Sequence, residues 1–226
     1  MLVAVSGSNG FIGKELCAHL INSGHEIIPV RKRDLQLPIH DFKEMLRDAD
    51  IFISLAGAPI LKRWTQGYKR KLKSSRIGPV NKVITALRLL KDRPRLLIST
   101  SAIGIYDNIH EHTEDSSFYA GNFLTELVSD WESEVMKAGE LVNLRIVIFR
   151  LAVVLGRKGG AFPSLLRPFK FGLGGKIGNG KQNFSFVHID DVIRAVMFVI
   201  HNPGQQGVFN LVAPEVITNS VFAKKL

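Results

Sequence analysis

The sequence predicts an α/β fold, a Rossmann-type doubly wound parallel sheet, on three observations. Short apolar runs alternate with helix-length amphipathic segments along most of the chain. The first run leads straight into a glycine-rich turn and a helix, and no repeat, heptad run or low-complexity linker breaks the alternation. A strand over 2–5 is followed by the turn Gly7 to Gly13 and a helix over 14–23, whose apolar positions Leu16, Ala18, Leu20 and Ile21 precede the stop signal Gly24. A second strand covers 26–30, which completes a βαβ unit. Next come a short strand near 35–39, a helix over 41–47 and a strand over 51–55 that closes on Ala56-Gly57. Helices over 76–91 and 122–138 then alternate with strands over 95–99 and 143–150. The glycine-rich stretch 155–183 has little periodicity and is too long for an ordinary connector, so it reads as a functional loop region. A last helix covers 191–200, with His188 as its cap.

The glycine loop carries the clearest chemistry. Gly7 permits the tight strand-to-helix turn, Gly10 lets the backbone approach a pyrophosphate, and Gly13 lets the helix pack close to the sheet. The free N–H groups and the dipole of that helix then favour phosphate. With Ser8, Asn9, Phe11 and Ile12 these glycines are the expected dinucleotide-binding residues. The end of the second strand selects the cofactor. NAD is usually met there by a carboxylate on the ribose hydroxyls, whereas a cation accommodates the 2′-phosphate of NADP. The chain offers Val30-Arg31-Lys32-Arg33 before any acid, so Arg31 and Lys32 point to NADP(H) over NAD(H).

Composition narrows the class. With 46% hydrophobic and 22% charged residues, the chain can bury enough apolar surface to order itself. A single cysteine, Cys17, excludes an internal disulfide and a thiolate metal cluster. No basic segment followed by an apolar run opens the chain, and the apolar stretch 146–155 is short and contains Arg150. A reducing, cytoplasmic location without a membrane partner is expected. The net charge of +10 is concentrated in residues 61–76 and 141–189, which hold seven and eight Lys/Arg and no acid. These segments are either solvated basic faces or two walls of a site for phosphate or carboxylate groups. They lack interleaved aromatics and recognised RNA-contact motifs, so a nucleic-acid partner is not expected.

Other segments then carry a resemblance. They are Ser6-Gly7-Ser8-Asn9-Gly10-Phe11-Ile12-Gly13, Leu55-Ala56-Gly57-Ala58-Pro59-Ile60 with Lys62-Arg63-Trp64, Ser75-Arg76, and Ile98-Ser99-Thr100-Ser101-Ala102-Ile103-Gly104-Ile105-Tyr106. Further along come Thr113-Glu114, Trp131-Glu132, Arg150-Leu151-Ala152-Val153-Val154-Leu155-Gly156, Gly172-Leu173-Gly174-Gly175, Ile177-Gly178-Asn179-Gly180 with Gln182, His188-Ile189-Asp190-Asp191, and Asn210. In these the chain resembles an extended or atypical short-chain dehydrogenase/reductase of the epimerase-family group, some of whose relatives carry a cell-division label. The resemblance implies a nicotinamide dinucleotide, a Rossmann domain over 1–155 completed by parts of 183–212, and a small substrate lobe formed by 156–182 and 213–226. It adds Leu55, Ala56, Gly57, Arg76 and Ser99 to the expected cofactor contacts, and Arg63, Trp64, Gln182 and His188 to the substrate side.

The superfamily's Tyr-x-x-x-Lys pair is absent. Tyr68, Tyr106 and Tyr119 are followed four positions on by Leu72, His110 and Phe123. Ser101 and Tyr106 remain as candidate catalytic groups, a hydroxyl and a phenol at a strand's carboxyl end. Turn chemistry and loop packing explain them equally well. Glu114 is either an acid/base or part of a solvated cap, and Trp64 either a lid or core. His110, His112 and Glu114 lie in a polar loop with no second cluster, so no metal is expected. The functional expectation is an NADP(H)-binding oxidoreductase or epimerase-like protein acting on a small anionic substrate. The alternative is a non-catalytic, nucleotide-sensing regulatory protein. Only six residues follow the helix-start signal Thr218-Asn219-Ser220, so a truncated lobe over a partly open pocket is also expected.

Overall fold

The computed structural model describes residues 1–92 and 94–226. Its centre is a six-stranded, all-parallel sheet made of β1 (Leu2–Ser6), β2 (Glu26–Val30), β3 (Ile51–Ser54), β4 (Leu96–Ala102), β5 (Arg145–Leu151) and a late strand, Gly207–Leu211. The strand order across the sheet is late strand, β5, β4, β3, β1, β2. Helix α1 (Phe11–Asn22) links β1 to β2, and α2 (Ile39–Leu46), α3 (Gln66–Arg88) and α4 (Phe123–Met136) follow β2, β3 and β4. Successive strand residues face opposite sides. Ala4, Phe52, Leu97 and Ile148 therefore join one core with Phe42, Leu87 and Trp131, while Val3, Val5, Ile53, Ile98 and Phe149 join a second with Leu16 and Leu20.

After β5 the chain forms β6 (Val153–Gly156), β7 (Gly159–Gly160), α5 (Phe162–Lys170), β8 (Asn183–Phe184) and β9 (Phe186–His188). Helix α6 (Ile189–His201) then leads into the late strand, β10, before β11 (Ile217–Thr218) and α7 (Asn219–Lys224). β6 pairs antiparallel with β7 and parallel with β9, and β11 pairs antiparallel with β8. The terminal turn is anchored. Thr218 Oγ1 accepts from Val221 N, and buried Asn219 accepts from Ile177 N at 2.7 Å. Phe222 stacks on Phe184 at 4.1 Å.

Three expected elements differ. The segment expected as a strand near 35–39 is a turn of 3-10 helix, Asp34–Gln36, followed by the start of α2. Pro38, which has no N–H to give a ladder, caps α2 instead. α3 begins ten residues before the expected start at 76, because Thr65 caps it by accepting from Tyr68 N, and Pro79 removes one interior bond without ending it. The stretch 155–183 is not structureless. It contains α5, whose periodicity Pro163, Pro168 and the surrounding glycines hide in the sequence.

Candidate functional site

β1 pairs with both β2 and β3, so the turn after Ser6, the basic residues after Val30 and the loop after Ser54 leave the sheet at one edge. The first of these is shaped by contact. Gly7 has φ +73° and approaches Leu55 and Ala56 so closely that a Cβ would lie 2.8–2.9 Å from their backbone atoms. Gly10 N donates to Gly7 O at 2.9 Å and closes the turn. Gly13, in the first turn of α1, stacks against that same carbonyl, where a Cβ would lie only 2.2 Å away. Gly10 caps α1 without a side chain, and the first turn contains no acid, so the N–H groups there can meet an anion. Ser8 is buried and Asn9 is exposed at the turn. Phe11 turns its ring away into a socket, where a Cβ on Gly156, Gly159 or Gly160 would come within 2.6–2.7 Å of ring carbons. The arrangement fits a dinucleotide pyrophosphate.

Beyond β2, Arg31 and Lys32 are exposed and have no ion-pair partner among the described residues. Asp34 accepts from Arg31 N at 2.7 Å and lies 3.5 Å from Arg33 Nε. The Asp34 carboxylate is thus occupied by the turn's own backbone and by Arg33.

The loop after β3 is held from α3. Ser75 Oγ accepts from Ala58 N at 3.0 Å and Tyr68 OH donates to Pro59 O at 2.5 Å, while within the loop itself Trp64 Nε1 donates to Ile60 O at 2.9 Å. Arg76 donates to Ala58 O at 3.0 Å and to Leu72 O, lies against Gly57, and covers Trp131 at 5.4 Å. Burial pushes its guanidinium below the ordinary arginine range. Arg76 therefore shapes the loop 55–59 through a carbonyl. Trp64 meets Phe123 edge-on at 5.6 Å, and Arg63 is exposed.

A second polar centre lies across β4, β5 and β10. Ser101 is opposite Arg150 in the register, and Arg150 is opposite Asn210, so one row crosses three strands on the face that α4 covers. Glu132 of α4 reaches over this row. It accepts from Ser101 Oγ at 2.5 Å and from Arg150 through Nε at 2.9 Å and Nη2 at 2.7 Å. Arg150 Nη1 donates to Tyr106 OH at 2.6 Å, and the phenol lies 3.0 Å from Asn210 Oδ1 and 3.1 Å from Thr113 O. Glu114 accepts from Asn210 N at 2.7 Å. Ser101 is 4% exposed and Arg150 5%. The hydrogen bonds it donates to Glu132 hold the Arg150 guanidinium above its ordinary range.

Tyr106 also stacks on His112 at 4.6 Å. Asp107 accepts from His110 N, Ile109 N and both imidazoles, and these bonds hold its carboxyl well below the usual carboxylate range. Ser99, expected beside a cofactor, is fully buried with Phe52, Val80, Val83 and Val135 around it, and its hydroxyl donates to Thr100 O. His188 caps α6 as expected, Nδ1 accepting from Asp190 N at 3.3 Å. Gln182 donates to Ile177 O and, through its own carbonyl, accepts from Asn219 N. Gln182 and His188 thus serve loop and helix ends.

Sequence reasoning assigned no role to Glu132, Arg150 or Asn210. The usable signal was Arg150 itself, because a cation inside an apolar strand requires a buried partner. No group of His, Cys, Asp and Glu suited to a metal occurs among the described residues, nor does any helix long and apolar enough to cross a membrane.

Comparison with known proteins agrees with this geometry. Residues 3–211 match the model of the NAD-dependent epimerase/dehydratase family. An epimerase family protein of Staphylococcus saprophyticus is 34% identical over 98% of this chain and 78% of its own length. The Bacillus subtilis epimerase family protein YfhF is 32% identical over 100% of this chain and 78% of its own. The crystal structure of human epimerase family protein SDR39U1, isoform 2, with NADPH superposes with a TM-score of 0.87 at 31% identity, covering 99% of this chain and 78% of the human one.

Proposed function

We infer that this chain, which belongs to the NAD-dependent epimerase/dehydratase family, binds NADP(H) in preference to NAD(H) and uses it as an atypical oxidoreductase on a small anionic substrate. The observation that carries the cofactor choice is the end of β2. Two exposed cations without ion-pair partners among the described residues, Arg31 and Lys32, stand where a carboxylate would meet the ribose of NAD, and Asp34 is already engaged by Arg31 N and Arg33. The human relative's structure with NADPH supports the same reading. A hydrogen bond to a charged group contributes about 1.5–3 kcal/mol, so the 2′-phosphate is expected to give NADPH at least a tenfold advantage over NADH. Fluorescence titration of both cofactors tests this. Arg31→Ala with Lys32→Ala is expected to bring the two affinities within about a factor of three, leaving NADH binding unchanged. Equal affinities in the unaltered protein sink the assignment.

A second reading, a non-catalytic nucleotide sensor, is favoured by one feature. The Ser101 proton goes to Glu132, and the Tyr106 proton has Asn210 Oδ1 and Thr113 O as acceptors, so neither hydroxyl has a proton left for a substrate oxygen. With no lysine paired to a tyrosine, turnover of UDP-sugars by conventional epimerisation is expected to be at background, as judged by coupled assay of product sugar. Cofactor oxidation or reduction across a metabolite panel separates the two readings: turnover of an anionic metabolite supports the oxidoreductase, and NADPH binding without any turnover supports the sensor.

A further inference from the structure

Asp34 is the first acid after β2 and follows the cations Arg31, Lys32 and Arg33 directly. By charge alone it opposes a 2′-phosphate at that place. Its geometry acts the other way. The Asp34 side chain is 15% exposed where that of Arg33 is 75%, so the carboxylate is folded under the turn while the cation stays in water. Arg31 N donates to Asp34 Oδ2 at 2.7 Å, and Asp34 N donates back to Arg31 O at 3.0 Å, joined there by Leu35 N at 3.3 Å. Both backbone polar groups of Arg31 are therefore held from residues 34 and 35. The carboxylate reaches back three residues to an otherwise free N–H, the same reciprocal pattern that caps helix starts. The far side of the turn is tied to the fold, because Leu35 and Leu37 pack against the core that contains Val30 and Phe42. Oδ1 lies 3.5 Å from Arg33 Nε, and neither Arg31 nor Lys32 pairs with Asp34 among the described residues.

We propose that Asp34 is a positioning residue for cofactor selection: by holding the backbone of Arg31 it fixes the course of the chain beyond β2 and so presents Arg31 and Lys32 to the 2′-phosphate of NADP(H). This rests on the NADP(H) reading of the same turn and deepens it. A turn already held in the free protein spares the ordering cost that a loose one meets on binding. The opposing charge of Asp34 is small beside that gain. One of its oxygens is taken by Arg31 N and the other faces Arg33, and water around the exposed cations screens what is left. The acid therefore raises the preference for NADP(H), although its charge taken alone would lower it. That opposition of sign separates positioning from simple electrostatics.

The test is fluorescence titration of the full chain with NADPH and with NADH at one ionic strength, for the original protein, Asp34→Ala and Asp34→Asn, with circular dichroism to show that each is folded. Asp34→Ala is expected to lower the ratio of NADPH to NADH affinity at least about fivefold, even though it removes a negative charge from the neighbourhood of the 2′-phosphate. Asp34→Asn keeps an oxygen that accepts from Arg31 N and loses only the charge, so its ratio is expected to stay within about a factor of two of the original or to rise above it. A ratio that is unchanged or raised in Asp34→Ala overturns the proposal, and so does one that falls as far in Asp34→Asn as in Asp34→Ala. These failures are distinct from that of the underlying reading. Equal NADPH and NADH affinities in the original protein overturn the NADP(H) reading and this proposal with it, whereas a preference that survives Asp34→Ala overturns the proposal alone.

Discussion

Replacing Gly13 with alanine is expected to weaken NADPH binding by at least a hundredfold while the chain still folds. In the native turn a Cβ at this position would lie 2.2 Å from Gly7 O and 2.7 Å from Ser8 Cα, both backbone atoms that no rotamer change can move. α1 must therefore shift away from the turn, or the turn must open. Gly7 cannot follow easily, since it is itself pressed against Leu55 and Ala56 at φ +73°. Either movement takes the first-turn N–H groups off the phosphates. Losing two charge-assisted bonds costs about 3–6 kcal/mol, and a hundredfold change in affinity needs only about 2.7 kcal/mol. Gly67→Ala is the control, because a Cβ there has nothing within 4 Å and alanine favours α3. Circular dichroism should show both variants folded, and the NADPH titration should separate them. A Gly13→Ala protein that binds NADPH within a factor of three of the original would show that the turn tolerates a side chain there.

The elements that could be read from the sequence are those whose determinants are local. The glycine turn is specified by three residues within seven positions, and the basic end of β2 by three adjacent ones. The capping role of His188 was legible because the cap precedes its helix directly. What escaped was long-range. Glu132 meets Ser101 and Arg150 from 31 and 18 residues away, and Tyr106 meets Asn210 across 104. Strand register brings them together, and no short spacing records a register between β4, β5 and β10. Arg76 shows the same limit in another form. Arg76 was expected as a cofactor contact, whereas its attachment to Ala58 O depends on α3 starting at Gln66, which the run of lysines and arginines disguised. Local polarity suggested a solvated segment, and the Thr65 cap together with packing of Leu72, Val80 and Val83 made a helix of it.

The largest expected effect on stability is that of Glu132→Ala. Its carboxylate is the only one that meets Arg150 among the described ion pairs, and it binds that guanidinium through both oxygens. Arg150 lies in β5 with 6% of its side chain exposed, so after the substitution it keeps its charge without a counter-ion or access to water. Breaking a buried pair on one side typically costs about 3–5 kcal/mol, which for a chain of this size lowers Tm by roughly 6–20 °C. Ser101 loses its acceptor in the same step. Ser101→Ala alone should cost only about 1 kcal/mol, because it leaves the Glu132–Arg150 pair whole. Removing both charges tests the cause directly. Glu132→Leu with Arg150→Met takes away the unpaired ion along with its partner, and apolar replacement of a buried pair is often close to neutral, so the double variant should melt above Glu132→Ala. If calorimetry gives the double variant the lower Tm, the cost lies in lost packing at the α4–β5 contact rather than in the stranded charge of Arg150.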